Sequence, residues 1–503
     1  MLACGLAATA CTSEKGLWRS PTSATAHDRA QAGPVMPKDA TTVVSGRTAA
    51  ELALATSRTI YHTAPAVVLV AENDAPGLAD ASSTALQLGV PLLLTPRPGG
   101  TEGADQLRIE VDRLGARTVV AVGESATAWA QAGKLTADGK PVTVSAGRGG
   151  DGEPAGGKPG APLKELLVLA LDQPSSRAAV ATAKAAGARV VLTSRPDPRA
   201  DDKVIKALAG QPTKHVLALG SAFGPAQRLR QRIETAATGV TLPGGGQVVF
   251  PGRRMIALYG HPGDPGLGVL GEQSVDAAIA RARRVAASYE GLAKEPVIPA
   301  FEIITTVASS SAGPDGDYSA ESPIEHIRPW VDAARKAGVY VMLDLQPGHT
   351  DFLTQAKRYT DLLKEPHVGL ALDPEWRLQP GQRHMVQIGS VSAAEINKTA
   401  DWLAELTRKN RLPQKVLMLH QFRLDMITGR ATVRTNHDEL RVVIHADGFG
   451  TAGQKFDTWN AMHVDAPRNA WWGWKNFYDE DLPTFTPRQT LAIKPAPVFI
   501  SYQ

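Results

Sequence analysis

The sequence predicts an α/β protein in which duplicated parallel α/β units are followed by a C-terminal (β/α)₈ TIM-like barrel. Three observations carry this expectation. Short, continuously apolar runs alternate with Ala-rich helical patterns, as parallel strands covered on both faces require. One such unit, at 67–123, returns at 166–220. From residue 254 onward, eight further apolar segments follow one another within the ~250 residues that one barrel occupies.

The chain has 503 residues, 43% hydrophobic and 21% charged, which is enough for two or three cores. A net charge of +4, without Lys/Arg runs interleaved with aromatics, gives no sign of a nucleic-acid groove. Both cysteines, Cys4 and Cys11, lie in an apolar, Ala-rich opening. That opening is shorter than the ~20 residues of a membrane span. It resembles the end of a bacterial lipoprotein signal, in which small residues precede an acylated cysteine. Cys11 is therefore the expected lipid anchor. Residues 12–39, rich in Ser, Thr, Ala, Gly and Pro, read as a tether, which places the protein on the extracellular face of the cytoplasmic membrane.

Residues 40–237 form the duplicated domain. In the first copy, 67–71 (Val-Val-Leu-Val-Ala) leads through a helix at 79–88 to 89–96. In the second, 166–170 (Leu-Leu-Val-Leu-Ala) leads through 178–186 to 187–194. Both copies close on a strand ending in Gly, at 118–123 and 215–220. Asn73, Asp74 and Asp80 read as turn and helix-capping residues.

The motifs at 70–80 (Val-Ala-Glu-Asn-Asp-Ala-Pro-Gly-Leu-Ala-Asp), 92–96 (Leu-Leu-Leu-Thr-Pro) and 114–123 (Leu-Gly-Ala-Arg-Thr-Val-Val-Ala-Val-Gly) resemble the cell wall-binding repeat 2 family. The resemblance implies noncovalent attachment to anionic wall polymers. The second copy lacks the Asn-Asp-x-Pro segment. The whole chain also resembles lipoproteins of high-GC Gram-positive bacteria, which names no reaction. A Gly/Pro-rich break at 238–253 marks the boundary to the barrel, 253–503.

Barrel strands are expected at 254–260, 300–307, 339–344, 368–373, 415–420, 440–445, 470–474 and 497–501, with helices at 275–289, 324–337 and 393–409 among them. A doubly wound open sheet is the alternative. Polar residues gather at the C-terminal strand ends, where barrel enzymes build their sites. His261 follows strand one, Asp344 and Gln346 end strand three, and Asp373 and Glu375 end strand four. His420 and Gln421 end strand five, His445 and Asp447 end strand six, and Lys475 with Asn476 closes strand seven. Residues two apart on a strand share a face, so Asp344 with Gln346, Asp373 with Glu375, and His445 with Asp447 are expected to point inward together.

Three readings use this set. Glycoside hydrolysis needs two carboxyls across a sugar, one protonated. Asp373-Pro-Glu375-Trp376 resembles the strand-four acid position of many barrel glycosidases, making Glu375 the acid candidate and Asp344, Asp447 or Asp373 its partner. Trp376 and Trp474 are candidate sugar platforms, although Trp also fills cores. His261, Gln346, His420, Gln421, His445, Lys475 and Asn476 complete the candidate substrate contacts. A metal-dependent deacetylase or phosphodiesterase would use His261, Asp344, Asp373, His420, His445 or Asp447, yet no His-x-x-x-His pair is present, so no metal and no other cofactor is expected. A non-catalytic binding module would let the rim groups satisfy one another. The expected partners are a cell-wall or extracellular polysaccharide and, through the anchor, the membrane.

Overall fold

The computed structural model describes residues 31–97, 99–147, 159–211 and 213–503. Cys4, Cys11 and most of the tether lie outside the described residues. The chain forms two compact units, one of 1–190 with 214–221 and the other of 191–213 with 222–503. The Gly/Pro-rich break at 238–253 thus falls within the second unit.

The N-terminal half of the chain contains parallel sheets whose strand orders show the duplication. One sheet runs Leu92–Thr95, Ala66–Ala71, Thr118–Val122, Thr143–Gly147, and the other Arg189–Thr193, Leu166–Leu171, His215–Leu219, Thr41–Val44. In each, the copy's second strand flanks its first and the third lies on the other side. The fourth place is taken in one sheet by the strand that follows the copy, and in the other by the chain's early strand. Asp74 caps the helix Ala75–Leu88 by accepting from Gly77 N at 2.9 Å, and Gly89 ends that helix at φ 66°, a left-handed cap that glycine adopts without strain. Across the copies, the Thr182 hydroxyl donates to Leu92 O and accepts from Leu92 N, both at 3.0 Å. One buried apolar cluster spans both copies.

The second unit is an eight-stranded, closed parallel barrel. Its strands one to eight are Arg254–Gly260, Val297–Ala308, Tyr340–Leu345, Val368–Leu372, Lys415–Gln421, Leu440–Ala446, Trp471–Asn476 and Phe499–Tyr502. Strand one pairs with both strand two and strand eight, which closes the sheet and removes the open-sheet alternative. Helices Val275–Ala287, Ile324–Ala337 and Ala393–Lys409 stand where the sequence places them.

Strand alternation sorts the barrel into two cores. Ile256, Leu258, Leu343, Leu345, Leu370, Leu372, Leu417 and Leu419 point outward and pack under the helices. Met255, Ala257, Tyr340, Met342, Ala371, Val416, Met418, Val443 and Phe499 fill the interior, joined by Leu242, Val249 and Phe250 from the preceding segment.

Asp438 near the start of strand six is held by Arg232 (Nε to Oδ2, 2.9 Å) and Arg199 (Nη2 to Oδ2, 2.9 Å), and Asp197 completes the group. These arginines belong to the segments 191–213 and 222–237, which group with the barrel.

Candidate functional site

The site follows from the phase of the strands. Residues in step with the interior apolar side chains continue that face toward the C-terminal end, where they become polar: Tyr259, Glu302, Asp344, Asp373, His420, His445, Asp447, Lys475 and Ser501. All of these are buried. Polar groups cost free energy when taken from water unless they pair, so their partners define what the mouth can do.

His420 is the hub. Its Nδ1–H donates to Asp447 Oδ2 at 3.0 Å and its Nε2–H to Glu302 Oε1 at 2.8 Å. Asp344 Oδ1 lies 3.9 Å from the same Nε2. Burial works against the imidazolium, but the charges and hydrogen bonds of Glu302 and Asp447 outweigh it and hold the His420 pKa well above the usual value. Lys475 places its ammonium 3.1 Å from Asp447 Oδ1 and 3.8 Å from the centroid of the Tyr259 ring. Burial would raise the Asp447 pKa, yet Lys475 and His420 overcome this and depress it.

The remaining carboxyls lack such support. Asp344 accepts from the Tyr259 hydroxyl at 3.0 Å, while burial, opposed by His420 and reinforced by Glu302, pushes its pKa up to about 6. Asp373, deeply buried and next to the charge of Glu375, is raised well above the carboxylate range. Glu375 is pushed up to about 7, first by burial and then by the charge of Asp447. Its place is set by the 3-10 turn Pro374–Trp376, and its carbonyl accepts from Gly389 N at 2.6 Å. Farther along the same loop, Arg377 Nε donates to Glu395 Oε1 at 3.0 Å and so ties the loop to the helix that follows. Glu375 and Trp376 are half-buried, so they border solvent while Asp344 and Asp373 lie deeper.

His445 shows opposite behaviour. Burial and the neighbouring imidazolium of His420 keep its pKa well below the ordinary value, and its Nε2 lies 2.7 Å from Ser501 Oγ. Gly473 on strand seven permits this position: a Cβ there would stand 2.2 Å from His445 Nδ1. Gly473→Ala is expected to cost about 1–3 kcal/mol through overpacking and to move the His445 ring resonances, as urea unfolding and NMR would register. An unchanged midpoint would refute the contact.

Two of the three inward pairs expected from spacing, Asp344 with Gln346 and His445 with Asp447, are found, while Glu375 lies in the turn beyond Asp373. Gln346 Nε2 donates to Tyr259 Oη at 3.4 Å beside Asp344, and His445 and Asp447 both adjoin His420. Three sequence candidates turn away from the mouth. Gln421 accepts from Arg430 Nε at 2.7 Å on the outer face of strand five. Trp474 lies in the core beneath the helices, and its indole N–H donates to Asn476 Oδ1 at 2.9 Å, so neither residue reaches the mouth. The reason is phase: each is one residue out of step with His420 or Lys475. His261 is half-buried at the rim, with Nδ1 2.9 Å from Ile304 O.

Three groups of the cluster escaped the sequence reading, Glu302, Tyr259 and Ser501. Glu302 carried a signal, as the single charge within the apolar run 300–307.

Ligand atoms of Asp373, His420 and Asp447 lie within 4.8 Å of one another, a spacing that a divalent ion can use. The Lys475 ammonium already sits against Asp447, however, and both His420 nitrogens are engaged in hydrogen bonds. Surface hollows of about 740 and 440 Å³ lie against the outer helices and carry no comparable chemistry. No protein-family model, curated protein or solved structure matches the chain. What this site does must therefore be read from its own groups.

Proposed function

We propose that the barrel is a glycoside hydrolase acting on a cell-wall or other extracellular glycan, with Glu375 as the proton donor. The observation that carries this reading is the division of the mouth's carboxyls. Asp447 is held ionised by two cations, whereas Asp344, Asp373 and Glu375 have raised pKa values. Groups whose environments push their pKa values apart are what acid/base chemistry at one centre needs. Glu375, the member nearest solvent, is suited to protonating a departing glycosidic oxygen. Asp344, raised less than Asp373, would act once ionised on the sugar as nucleophile or base.

This reading fixes the sign of the pH dependence. A donor near pKa about 7 is lost as pH rises through that value, and an ionised partner such as Asp344, near about 6, is lost as pH falls through it. The kcat/KM profile is expected to be a narrow bell centred between these two values, its limbs belonging to the coupled cluster. A plateau from pH 5 to 9 in reducing-end release would count against it.

The wider setting rests on the sequence. Resemblance of residues 44–135 to the cell wall-binding repeat 2 family supports a first unit that holds the barrel at anionic wall polymers. The opening around Cys11 supports lipid anchorage. No helix among the described residues is long and apolar enough to cross a membrane. Cys11→Ala is expected to abolish incorporation of labelled palmitate and to release the protein from membrane fractions. Retention of label would reject Cys11 as the anchor.

A further inference from the structure

Glu302, Asp344 and Asp373 are almost wholly buried, and each keeps one carboxylate oxygen with no hydrogen-bond partner: Oε2, Oδ1 and Oδ1 respectively. The three side chains gather about one imidazole. Glu302 Oε1 and Asp344 Oδ1 lie 2.8 and 3.9 Å from His420 Nε2, and an oxygen of Asp373 is within 4.8 Å of a His420 nitrogen. Buried acceptors left open in this way are costly unless something fills them.

Charge points the same way. Among the described residues, Glu302, Asp344, Asp373, Glu375 and Asp447 face two cations, His420 and Lys475. Lys455, the next nearest cation, is neutralised by Asp481 at 2.9 Å. With all five carboxyls ionised, the mouth would hold an excess of negative charge that protons or a cationic ligand must balance.

We propose that the sugar unit bound in the mouth carries a free ammonium group, seated among Glu302, Asp344 and Asp373: the substrate is a glycan containing unacetylated amino sugar. This deepens the glycosidase reading and rests on it. An ammonium offers three N–H donors to three open acceptors and offsets part of the excess charge. An acetamido group offers one N–H and brings a methyl into a polar throat lined by Tyr259, Gln346 and Lys475. A neutral hydroxyl offers one O–H and brings no charge, which leaves the balance to protons on the carboxyls.

The test is calorimetric binding to the full-length Glu375→Gln protein, first shown to be folded by circular dichroism. The probes are tetramers of glucosamine and of galactosamine, each beside its N-acetylated and its hydroxyl counterpart, and Mg²⁺ and Zn²⁺ alone. At least one amine tetramer is expected to bind about tenfold or more tightly than both of its counterparts. Asp344→Asn and Glu302→Gln are expected to erase that preference. Equal or tighter binding of the acetylated or hydroxyl forms would overturn the proposal. So would tight uptake of a metal ion with neither amine tetramer bound. An amine preference with no cleavage by the wild-type protein would support the amine site and reject the hydrolase reading, so the two failures are distinct.

Discussion

Glu375→Gln is expected to lower kcat for glycan cleavage about 10²–10⁴-fold, the usual contribution of a positioned general acid, and to leave the protein more stable at alkaline pH. The second half follows from the first. An unfolded Glu titrates near 4.3, whereas burial pushes folded Glu375 up to about 7. Ionising it therefore costs folding free energy as pH climbs between those values, and the cost persists above them. Gln carries no such cost. The variant's advantage should be small at pH 4, grow to about 1–3 kcal/mol by pH 8 and then level off. Reducing-end assays paired with urea unfolding at pH 4 and 8 read both quantities. Retained cleavage would assign the proton donor elsewhere, and lost cleavage with lowered stability would reduce Glu375 to a structural group.

Lys475→Met is expected to have the largest effect on stability. It removes one of two cations holding buried Asp447 ionised and leaves that charge without its ammonium, a change of about 3–5 kcal/mol at neutral pH. Because the Asp447 pKa is depressed in the folded state, the lost stability is fully present above the unfolded Asp value near 3.9 and declines as pH falls from there through the lower folded value. Wild type and variant should therefore converge in acid. Lys475→Met combined with Asp447→Asn should recover much of the loss, as a double-mutant cycle would show. A loss under about 1 kcal/mol at pH 7 would mean that the mouth is as well solvated as an ordinary surface.

The barrel was legible because eight buried parallel strands leave a strong signal: continuous apolar runs at regular spacing, each ending in polar residues. Side-chain direction was legible only where the count of residues was kept in phase. Position at a strand end drew in Gln421, Trp474 and Asn476, although alternation sends them under the helices while His420 and Lys475 point inward. Glu302 was hidden by a different cause. Strand two runs on to Ala308 and pairs there with Ser319–Glu321, so this glutamate sits in mid-strand rather than at an end. Ion-pair partners such as Glu302 with His420 are 118 residues apart, and no local pattern encodes such a contact.

The backbone passes between the two compact units three times, at 190/191, 213/214 and 221/222. A cassette that recombination could lift out at one joint must enter and leave its neighbour once, and this barrel does not. A gene fragment starting at 253 would encode all eight strands yet lack Arg199 and Arg232, leaving Asp438 without either guanidinium. A fragment meant to carry the barrel whole would therefore have to keep 191–213 and 222–252 along with the eight strands.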